Sequence, residues 1–405
     1  MKRILIILVG IFLLALVFYL LKFADFYHAI YTPKDGNLKS PIAGSQPKAK
    51  DTYSVLLLGY AGGSHDGTYL TDTMIQATID LKKKKVFLVS IPRDLWVKLP
   101  TKSGDDFHAK INSIYETELF PQDFPDLDTK IAGNKSDAEL TKYIVGKLTG
   151  IPIDNYIAID FASFTKAIDI LGGVDINITK TFTDEKYPIE GKEKELCGKD
   201  DQFKQIESYL PNSSGSAEEK EKLLKEKPEL DEFLHNATES PQLVFPCRYE
   251  TIHFTAGQQH MDGATALKFV RSRQSLQDGG DFARARRQQQ LIEALRGKIL
   301  SVGFITKIPA LLDEMKQYVK TDIDPVTIQT FLKGAPSASQ YKLDSIVLSD
   351  QNVLKFARSD NGQFILMPEA GMDVWTGTQK FIKDSIEGLT PVPTSSKSLS
   401  PTRTL

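Results

Sequence analysis

The chain has 405 residues, and its 50 lysines and arginines nearly balance its 52 aspartates and glutamates, which leaves a formal net charge of −2. That length, with a hydrophobic fraction of 41%, allows a sizeable core in one large domain or in two smaller ones. The near balance of charge argues against a generic nucleic-acid-binding protein, whose binding domain is usually basic. We therefore expect no nucleic-acid partner.

The first predicted element is a membrane-spanning helix. After Lys2 and Arg3, the residues from Ile4 to Leu21 are almost entirely apolar, and at about 1.5 Å per residue they nearly cross a bilayer core of roughly 30 Å. A cleaved signal peptide is the alternative, but its apolar region would be shorter and a small-residue cleavage site would follow it. The N-terminal cations favour a cytoplasmic N-terminus. We predict a single-pass protein of the cell membrane with an extracytoplasmic domain.

Shifts in composition predict the domain boundaries. Residues 1–22 form a cytoplasmic stub and anchor, 23–50 a linker, 51–388 the extracytoplasmic domain, and 389–405 a disordered tail rich in Ser, Thr and Pro. A charged stretch at about 184–246 interrupts the domain and indicates a surface insertion that is helical in part.

The chain has two cysteines, Cys197 and Cys247, within or directly beside this insertion. In an oxidising compartment a disulfide between them is the default expectation, and two free thiols are the alternative.

Within the domain, short apolar runs bounded by turn residues predict buried strands, and helical patterns alternate with them. The predicted strands include Ser54–Leu58, Met74–Ile79, Val86–Ile91, Asn155–Ile159 and Val174–Ile178. The predicted helices include Asp137–Leu148, Phe161–Leu171, Ala264–Val270, Phe282–Leu300 and Trp375–Ile386. This alternation indicates an α/β fold in which helices flank a mixed central sheet, preceded by the one transmembrane helix.

An arginine-rich block lies between Ala264 and Leu295. Five arginines fall within seventeen positions of this almost neutral chain: Arg271, Arg273, Arg284, Arg286 and Arg287. Guanidinium forks are the side chains best matched to bidentate binding of phosphate. The alternative is a solvated helix face paired with acids, but few acids lie nearby in the sequence. We therefore predict an anionic ligand.

The remaining chemistry points to phosphoryl transfer. No HExxH, CxxC or GxSxG motif is present, so the usual signatures of zinc hydrolases and of α/β-hydrolase serine catalysis are missing. Acids stand at predicted strand ends or beside the arginines: Asp72, Asp94 and Asp281. Carboxylates for a magnesium ion and an arginine clamp for a pyrophosphate would meet the needs of phosphoryl transfer. Taken singly, each acid is equally compatible with a helix cap or an ion pair.

Several motifs occur in an order that resembles the LytR-CpsA-Psr family. They are LLLGY at Leu56–Tyr60, TDT at Thr71–Thr73, SIPRD at Ser90–Asp94, KIN at Lys110–Asn112, LGGVD at Leu171–Asp175, and RSR followed by GDFARARRQQ. The resemblance implies a membrane-anchored phosphotransferase that moves a glycopolymer from a polyprenyl-pyrophosphate carrier onto peptidoglycan, with Mg²⁺ (or Mn²⁺) as cofactor. The polyprenyl-linked glycopolymer, peptidoglycan and the membrane are then its expected partners.

Carried over position by position, the family's motifs imply a set of site residues. The pyrophosphate-binding residues are Arg93, Arg271, Arg273, Arg284, Arg287 and Gln288. Asp72 is the implied metal ligand, and Asp281 matches the acid that precedes the last arginines. The implied catalytic residues are Asp72, Arg93, Arg271, Arg273 and Asp281. Asp94 is expected to orient Arg93.

The chain departs from the family pattern at two positions. Ala61 stands where a second acidic metal ligand is common, and Leu70 stands where an arginine is common. His65 and Asp66 lie in the same loop and are the hypothesised replacements for the missing ligand.

Two alternative functions stay open: a non-catalytic envelope protein that binds anionic or lipid-linked polymer, and a polyprenyl-pyrophosphate hydrolase. A pyrophosphatase side activity of the transferase stays open as well.

Overall fold

The computed structural model describes residues 17–31, 50–63, 67–128, 138–210, 216–299, 307–316, 318–334 and 339–389. They form two compact units. Unit 1 is drawn from residues 1–176, 258–270 and 285–405, and unit 2 from residues 177–257 and 271–284.

The N-terminal helix α1 covers residues 17–30 and packs within unit 1. Lys22 Nζ donates to Asp313 Oδ2 at 2.6 Å, and the hydroxyl of Tyr27 donates to the carbonyl of Ile323 at 3.3 Å. Across the described ranges, no helix is both long enough and apolar enough to span a membrane. Most of the predicted span Ile4 to Leu21 falls in residues 1–16, which lie outside those ranges.

Unit 1 is built on a six-stranded sheet with the order β11-β6-β1-β2-β3-β12. Its strands are β1 (Thr52–Tyr60), β2 (Thr71–Asp80), β3 (Lys85–Ser90), β6 (Asn155–Asp160), β11 (Val319–Thr321) and β12 (Lys342–Val347). The pairs β1/β6 and β3/β12 are parallel, and the pairs β1/β2, β2/β3 and β6/β11 are antiparallel. The predicted mixed sheet is thus confirmed.

Helices flank this sheet. They include α3 (Glu139–Thr149), α4 (Phe161–Ile170), α9 (Gly263–Arg271), α10 (Gly280–Ile299), α11 (Ile308–Met315), α12 (Pro325–Gly334) and α13 (Thr376–Glu387). The apolar runs that predicted the strands form the core: Leu56, Leu58, Ile75, Leu88 and Val89 are each at most 1% exposed. On one face, Ile75 and Leu88 pack with Ile292 of α10. Burial of these side chains is what holds the helices against the sheet.

Short strands form three two-stranded sheets that are separate from the six-stranded sheet. β4 (Trp96–Leu99) pairs with β5 (Phe107–Lys110), which leads into α2 (Ile114–Leu119), and β13 (Leu354–Arg358) pairs with β14 (Phe364–Pro368). β7 (Val174–Ile178) pairs with β10 (Gly257–Met261).

Unit 2 contains the inserted segment. Its base is the antiparallel pair β8 (Phe182–Pro188) and β9 (Tyr249–Phe254). Between these strands lie α5 (Asp200–Ile206), α6 (Ala217–Glu226), α7 (Glu229–Glu239) and α8 (Pro241–Val244). The helices share a small core of Ile206, Leu230 and Leu234. Cys197 and Cys247 form the expected disulfide, with Cα atoms 5.7 Å apart.

One edge of the central sheet gathers the strand ends that carry the family motifs. The register places Tyr60 of β1 beside Thr71 of β2 and Asp160 of β6, and it places Ser90 of β3 beside Val347 of β12. The loops after β1, β3 and β6 and the start of β2 therefore open on the same edge.

Candidate functional site

In unit 1, the structure brings together the predicted residues Asp72 and Arg93. Asp72 is the second residue of β2 and Arg93 follows the end of β3, and since these strands are antiparallel neighbours, the two positions lie side by side. Arg93 Nη1 donates to Asp72 Oδ1 at 2.7 Å, and Arg93 Nε lies 3.5 Å from Asp94 Oδ2. The side chains of Arg93 and Asp72 are 25% and 28% exposed, so an anion or a cation from solution can reach them.

Lys110 completes this ion-pair network. Its Nζ donates to Asp94 Oδ1 at 2.6 Å, while the amide of Asn112 donates to the carbonyl of Arg93 at 3.3 Å. In the sequence the KIN motif marks the family resemblance but indicates no contact for Lys110. The β4/β5 hairpin, which returns the chain from Arg93 to Lys110, was not predicted, so this pairing was missed.

The loop between β1 and β2 contains the two departures from the family pattern. The amide of Gly62 donates to the carbonyl of Thr68, and the amide of Leu70 donates to the carbonyl of Gly67, both at 3.0 Å. Leu70 and Ala61 have no side-chain atom that can bind a phosphate or a metal. No group of three or more His, Cys, Asp or Glu residues placed to hold a metal ion occurs in the described ranges. His65 and Asp66 lie outside them, so their role as ligands stays a prediction.

An aromatic cluster lies beside this loop. The ring of Tyr60 is 5.6 Å from that of Tyr69 and 5.9 Å from that of Tyr115. Burial, reinforced by the nearby carboxylate of Asp160, raises the pKa of Tyr60 to about 12. Its phenol therefore stays protonated near neutral pH. Asp160 itself caps α4, because its Oδ1 accepts from the amide of Ser163 at 2.8 Å.

Two α10 residues of unit 1 that the family motifs imply as pyrophosphate ligands are buried. Arg287 is 2% exposed, and its Nε donates to the carbonyl of Phe269 at 2.9 Å. Gln288 is 9% exposed and donates through Nε2 to Thr73 Oγ1 at 2.8 Å. Both side chains thus connect α10 to the rest of unit 1. Their role in binding pyrophosphate stays a prediction.

In unit 2, three of the predicted arginines lie beside acidic or aromatic side chains. Asp281 Oδ1 lies 3.0 Å from Arg284 Nη2 and 3.7 Å from Arg273 Nη1. The guanidinium of Arg271 lies 5.9 Å from the ring centroid of Tyr187. Burial raises the pKa of Tyr187, and the charge of Arg271 opposes this rise. The predicted acid Asp281 therefore contacts the arginines that follow and precede it.

A further acid of unit 2 was missed in the sequence. Asp184 is 1% exposed, and its Oδ2 accepts from the hydroxyl of Ser272 at 2.7 Å and from the amides of Arg273 and Gln274 at 3.0 Å each. In the sequence Asp184 begins a run of three charged residues at the start of the insertion, a pattern that gives no sign of its burial. Its partners lie 88 to 90 positions away and could not be read from that pattern.

The fold defines a class: an α/β protein with a mixed central sheet, whose motif residues Asp72 and Arg93 form an ion pair at one sheet edge. The chain belongs to the LytR_cpsA_psr family, which it matches over residues 17–376. The resemblance seen in the sequence motifs is confirmed.

The chain is also similar to individual members of the family. The polyisoprenyl-teichoic acid--peptidoglycan teichoic acid transferase TagV of Bacillus subtilis (strain 168) is 24% identical over 378 residues, which are 91% of this chain and 72% of TagV. The transferase of the same description named TagU, from Oceanobacillus iheyensis, is 26% identical over 293 residues, which are 72% of this chain and 65% of TagU. The chain thus spans just under two thirds of that TagU.

A solved structure supports the fold. The crystal structure of B. subtilis TagV matches with a TM-score of 0.50 at 21% identity, and the match covers 84% of this chain and 99% of that one.

Proposed function

We propose that this protein is a phosphotransferase of the cell envelope that moves a glycopolymer from a polyprenyl-pyrophosphate carrier onto peptidoglycan or another envelope acceptor. Membership of the family and the names of the relatives TagV and TagU support this class of donor and acceptor. The observation that carries the proposal is the Arg93–Asp72 pair at the sheet edge, where a guanidinium held by a carboxylate is still reachable from solvent.

The proposed reaction is a single displacement at phosphorus. An acceptor hydroxyl oxygen attacks the phosphorus that bears the glycopolymer, the bond from that phosphorus to the bridging oxygen breaks, and polyprenyl phosphate leaves with this oxygen. The hydroxyl proton passes to solvent. Negative charge grows on the leaving phosphate, so guanidinium groups that are already oriented stabilise the transition state.

The proposed phosphate-binding arginines fall into two groups, one in unit 1 and one in unit 2. Arg93 is the arginine of unit 1, where Asp72 and Asp94 orient it. Arg271, Arg273 and Arg284 are the arginines of unit 2, where Asp281 and Tyr187 contact them. Arg287 and Gln288 are proposed to contribute by positioning α10.

We propose Mg²⁺ (or Mn²⁺) as the cofactor. Magnesium is commonly bound by one or two carboxylates together with substrate phosphates and water, and Asp72 is a partly exposed carboxylate of that kind. The bound ion would neutralise phosphate charge. Asp72 Oδ1 already accepts from Arg93, so this carboxylate would connect the ion with the guanidinium.

A membrane location is part of the proposal. The apolar residues from Ile4 to Leu21 would anchor the chain, and the rest would lie outside the cytoplasm, where a lipid-linked pyrophosphate supplies the driving force that ATP cannot.

The experiment that tests the function is turnover by the purified full chain. It is incubated with Mg²⁺, a polyprenyl-pyrophosphate-linked glycan and peptidoglycan fragments, and both polyprenyl phosphate and glycan-modified fragment are quantified. We expect the two products in equal amounts, and neither without acceptor. Release of lipid phosphate without acceptor would identify a hydrolase instead. A stable complex that releases no lipid phosphate would identify a binding protein.

A further inference from the structure

Within unit 2, one buried carboxylate organises the segment that carries the RSR motif. Asp184 is 1% exposed, and its Oδ2 accepts from the hydroxyl of Ser272 and from the amides of Arg273 and Gln274. Ser272 is fully buried. Successive amides and a hydroxyl that converge on one carboxylate oxygen fix the backbone more tightly than any one of these hydrogen bonds would.

The carboxylate is also fixed to its own strand. Asp184 Oδ1 accepts from the amide of Lys186 at 3.0 Å, and the register of β8 against β9 shifts between Asp184 and Tyr187. Residues three apart face opposite sides of a regular strand, but an irregularity of this kind re-aims the side chains that follow it. Here Asp184 and Tyr187 are both buried, and Tyr187 lies beneath the guanidinium of Arg271. β8 therefore contacts the motif at its backbone and at one arginine side chain.

The loop after the motif is fixed by the same strand. Gln277 Oε1 accepts from the amide of Thr183 at 3.1 Å and from the hydroxyl of Ser275 at 2.9 Å. The amide of Gly280 donates to the carbonyl of Arg273 at 2.6 Å, which closes the loop. Gly279 leaves no room for a side chain, because a Cβ there would lie 2.0 Å from the carbonyl oxygen of Ser275.

We propose that Asp184 is a positioning residue that sets the direction in which Arg271 and Arg273 meet a phosphate group. It acts through the backbone of Ser272 to Gln274 and does not bind the phosphate, since protein donors occupy both of its oxygens. The inference rests on the proposed function in taking the ligand to be a pyrophosphate. Removal of the carboxylate takes this acceptor from the buried hydroxyl of Ser272 and from two part-buried amides, and the segment must shift to restore their hydrogen bonds.

The test uses the full chain with Asp184→Ala, Asp184→Asn and the control Glu185→Ala. Glu185 is the next residue of β8 and is exposed, so its replacement removes the same charge without touching the motif. Binding of inorganic pyrophosphate is measured by calorimetry, and hydrogen exchange is followed over residues 271–280. Asp184→Ala should weaken binding by about 10-fold or more and speed exchange at residues 272–274, because small misplacements of a binding group are costly.

The conservative variant separates positioning from general stability. In Asp184→Asn the amide oxygen can replace Oδ2 as acceptor for the motif, and only the contact of Oδ1 with the amide of Lys186 is lost, so binding should stay within about threefold of the wild type. Wild-type binding in Asp184→Ala would overturn the proposal. It would also be overturned if the loss matched the loss of folded protein by circular dichroism and Asp184→Asn did not restore it.

The outcomes for the proposed function are distinct. If the wild-type protein binds pyrophosphate but transfers no glycan, the proposed transferase function is contradicted. The positioning role of Asp184 can then still be tested by binding. If inorganic pyrophosphate does not bind, the same comparison is made on the KM for the lipid donor, which Asp184→Ala should raise while Glu185→Ala does not. A wild type with neither binding nor turnover overturns both.

Discussion

Arg93 lies between two acids that differ in exposure, and this difference assigns them different tasks. The side chain of Asp94 is 11% exposed and is shared with Lys110, whereas that of Asp72 is 28% exposed. Asp94 with its second cation is a fixed partner that orients the guanidinium. Asp72 is the more accessible partner, so it is the carboxylate at which a phosphate-bound cation would compete with Arg93.

This arrangement predicts a loss of transfer when Arg93 is replaced. Arg93→Ala should lower kcat/KM by about 100- to 1000-fold, the range seen when one preorganised donor to a developing charge is removed. Arg93→Lys should restore little, since a lysine is a point charge without the fork that reaches two oxygens. The rate of polyprenyl phosphate release measures both variants.

A matched control is Arg358→Ala, which removes an exposed arginine from β13. Its rate should equal that of the wild type. If Arg93→Ala kept more than about half of the wild-type rate while remaining folded, Arg93 would have no part in the chemistry.

At the residue scale, the sequence indicated which residues belong to the site better than it indicated which residues they contact. Asp72 and Arg93 were predicted as site residues, and the structure places them in direct contact. Arg287 was predicted to bind pyrophosphate; it is 2% exposed, and its Nε donates to the carbonyl of Phe269 in α9. Helical spacing shows which residues share a face and not which neighbour covers that face. The partners of Lys110 and Asp184 are brought to them by turns of the chain that no local sequence pattern indicates.

Among the elements, long apolar strands were predictable and short ones were not. The run from Ser54 to Leu58 predicted β1, which extends two residues beyond it at each end. β4 and β5 have four residues each and mix charged or polar with apolar side chains, so they are too short for an alternating strand pattern to be recognised. The hairpin they form carries Lys110 to Asp94, and the missed element therefore explains the missed site residue.

A cap between two helices predicts a pH-dependent stability. Glu118 of α2 accepts from the amides of Leu140 and Thr141 at 2.7 and 3.2 Å, and from the hydroxyl of Thr141 at 3.0 Å, at the start of α3. Burial raises the pKa of Glu118 to about 7 despite these hydrogen bonds, which lower it. The folded state then binds more protons than the unfolded state between about pH 4.5 and 7.

The free energy of unfolding should therefore fall as pH rises through that window and level off above it, by up to about 3 kcal/mol from this group. Glu118→Gln should remove this component of the slope, because the amide oxygen still accepts from α3 and does not titrate. Urea unfolding at pH 5, 6, 7 and 8 measures it. Glu369→Gln, which changes an exposed acid, should keep the wild-type slope; an unchanged slope in Glu118→Gln would contradict the assignment.

For the molecule as a whole, the insertion has a core of its own, and its base is held by hydrogen bonds that do not involve the disulfide. Phe245 is 1% exposed and meets Phe203 and Phe233 with ring centroids 6.0 Å apart in each case. The base is closed separately, by the pairing of β8 with β9 and by the bond from the amide of Ile189 to the carbonyl of Arg248 at 2.8 Å. The disulfide links Cys197 to Cys247 across a separation of 50 residues within this unit.

Replacing both cysteines by serine should accordingly loosen the inserted helices and leave the arginine segment in place. Loss of a crosslink across such a loop costs about 4 kcal/mol in the chain-entropy model, because the unfolded loop gains conformational freedom. Hydrogen exchange should quicken over 200–244, while 182–188 and the strands β1 to β3 exchange as in the wild type. Pyrophosphate binding should be retained, because the contacts of Asp184 with residues 272–274 belong to the base. Loss of binding with unchanged exchange in the helices would show instead that the disulfide acts on the arginine segment directly.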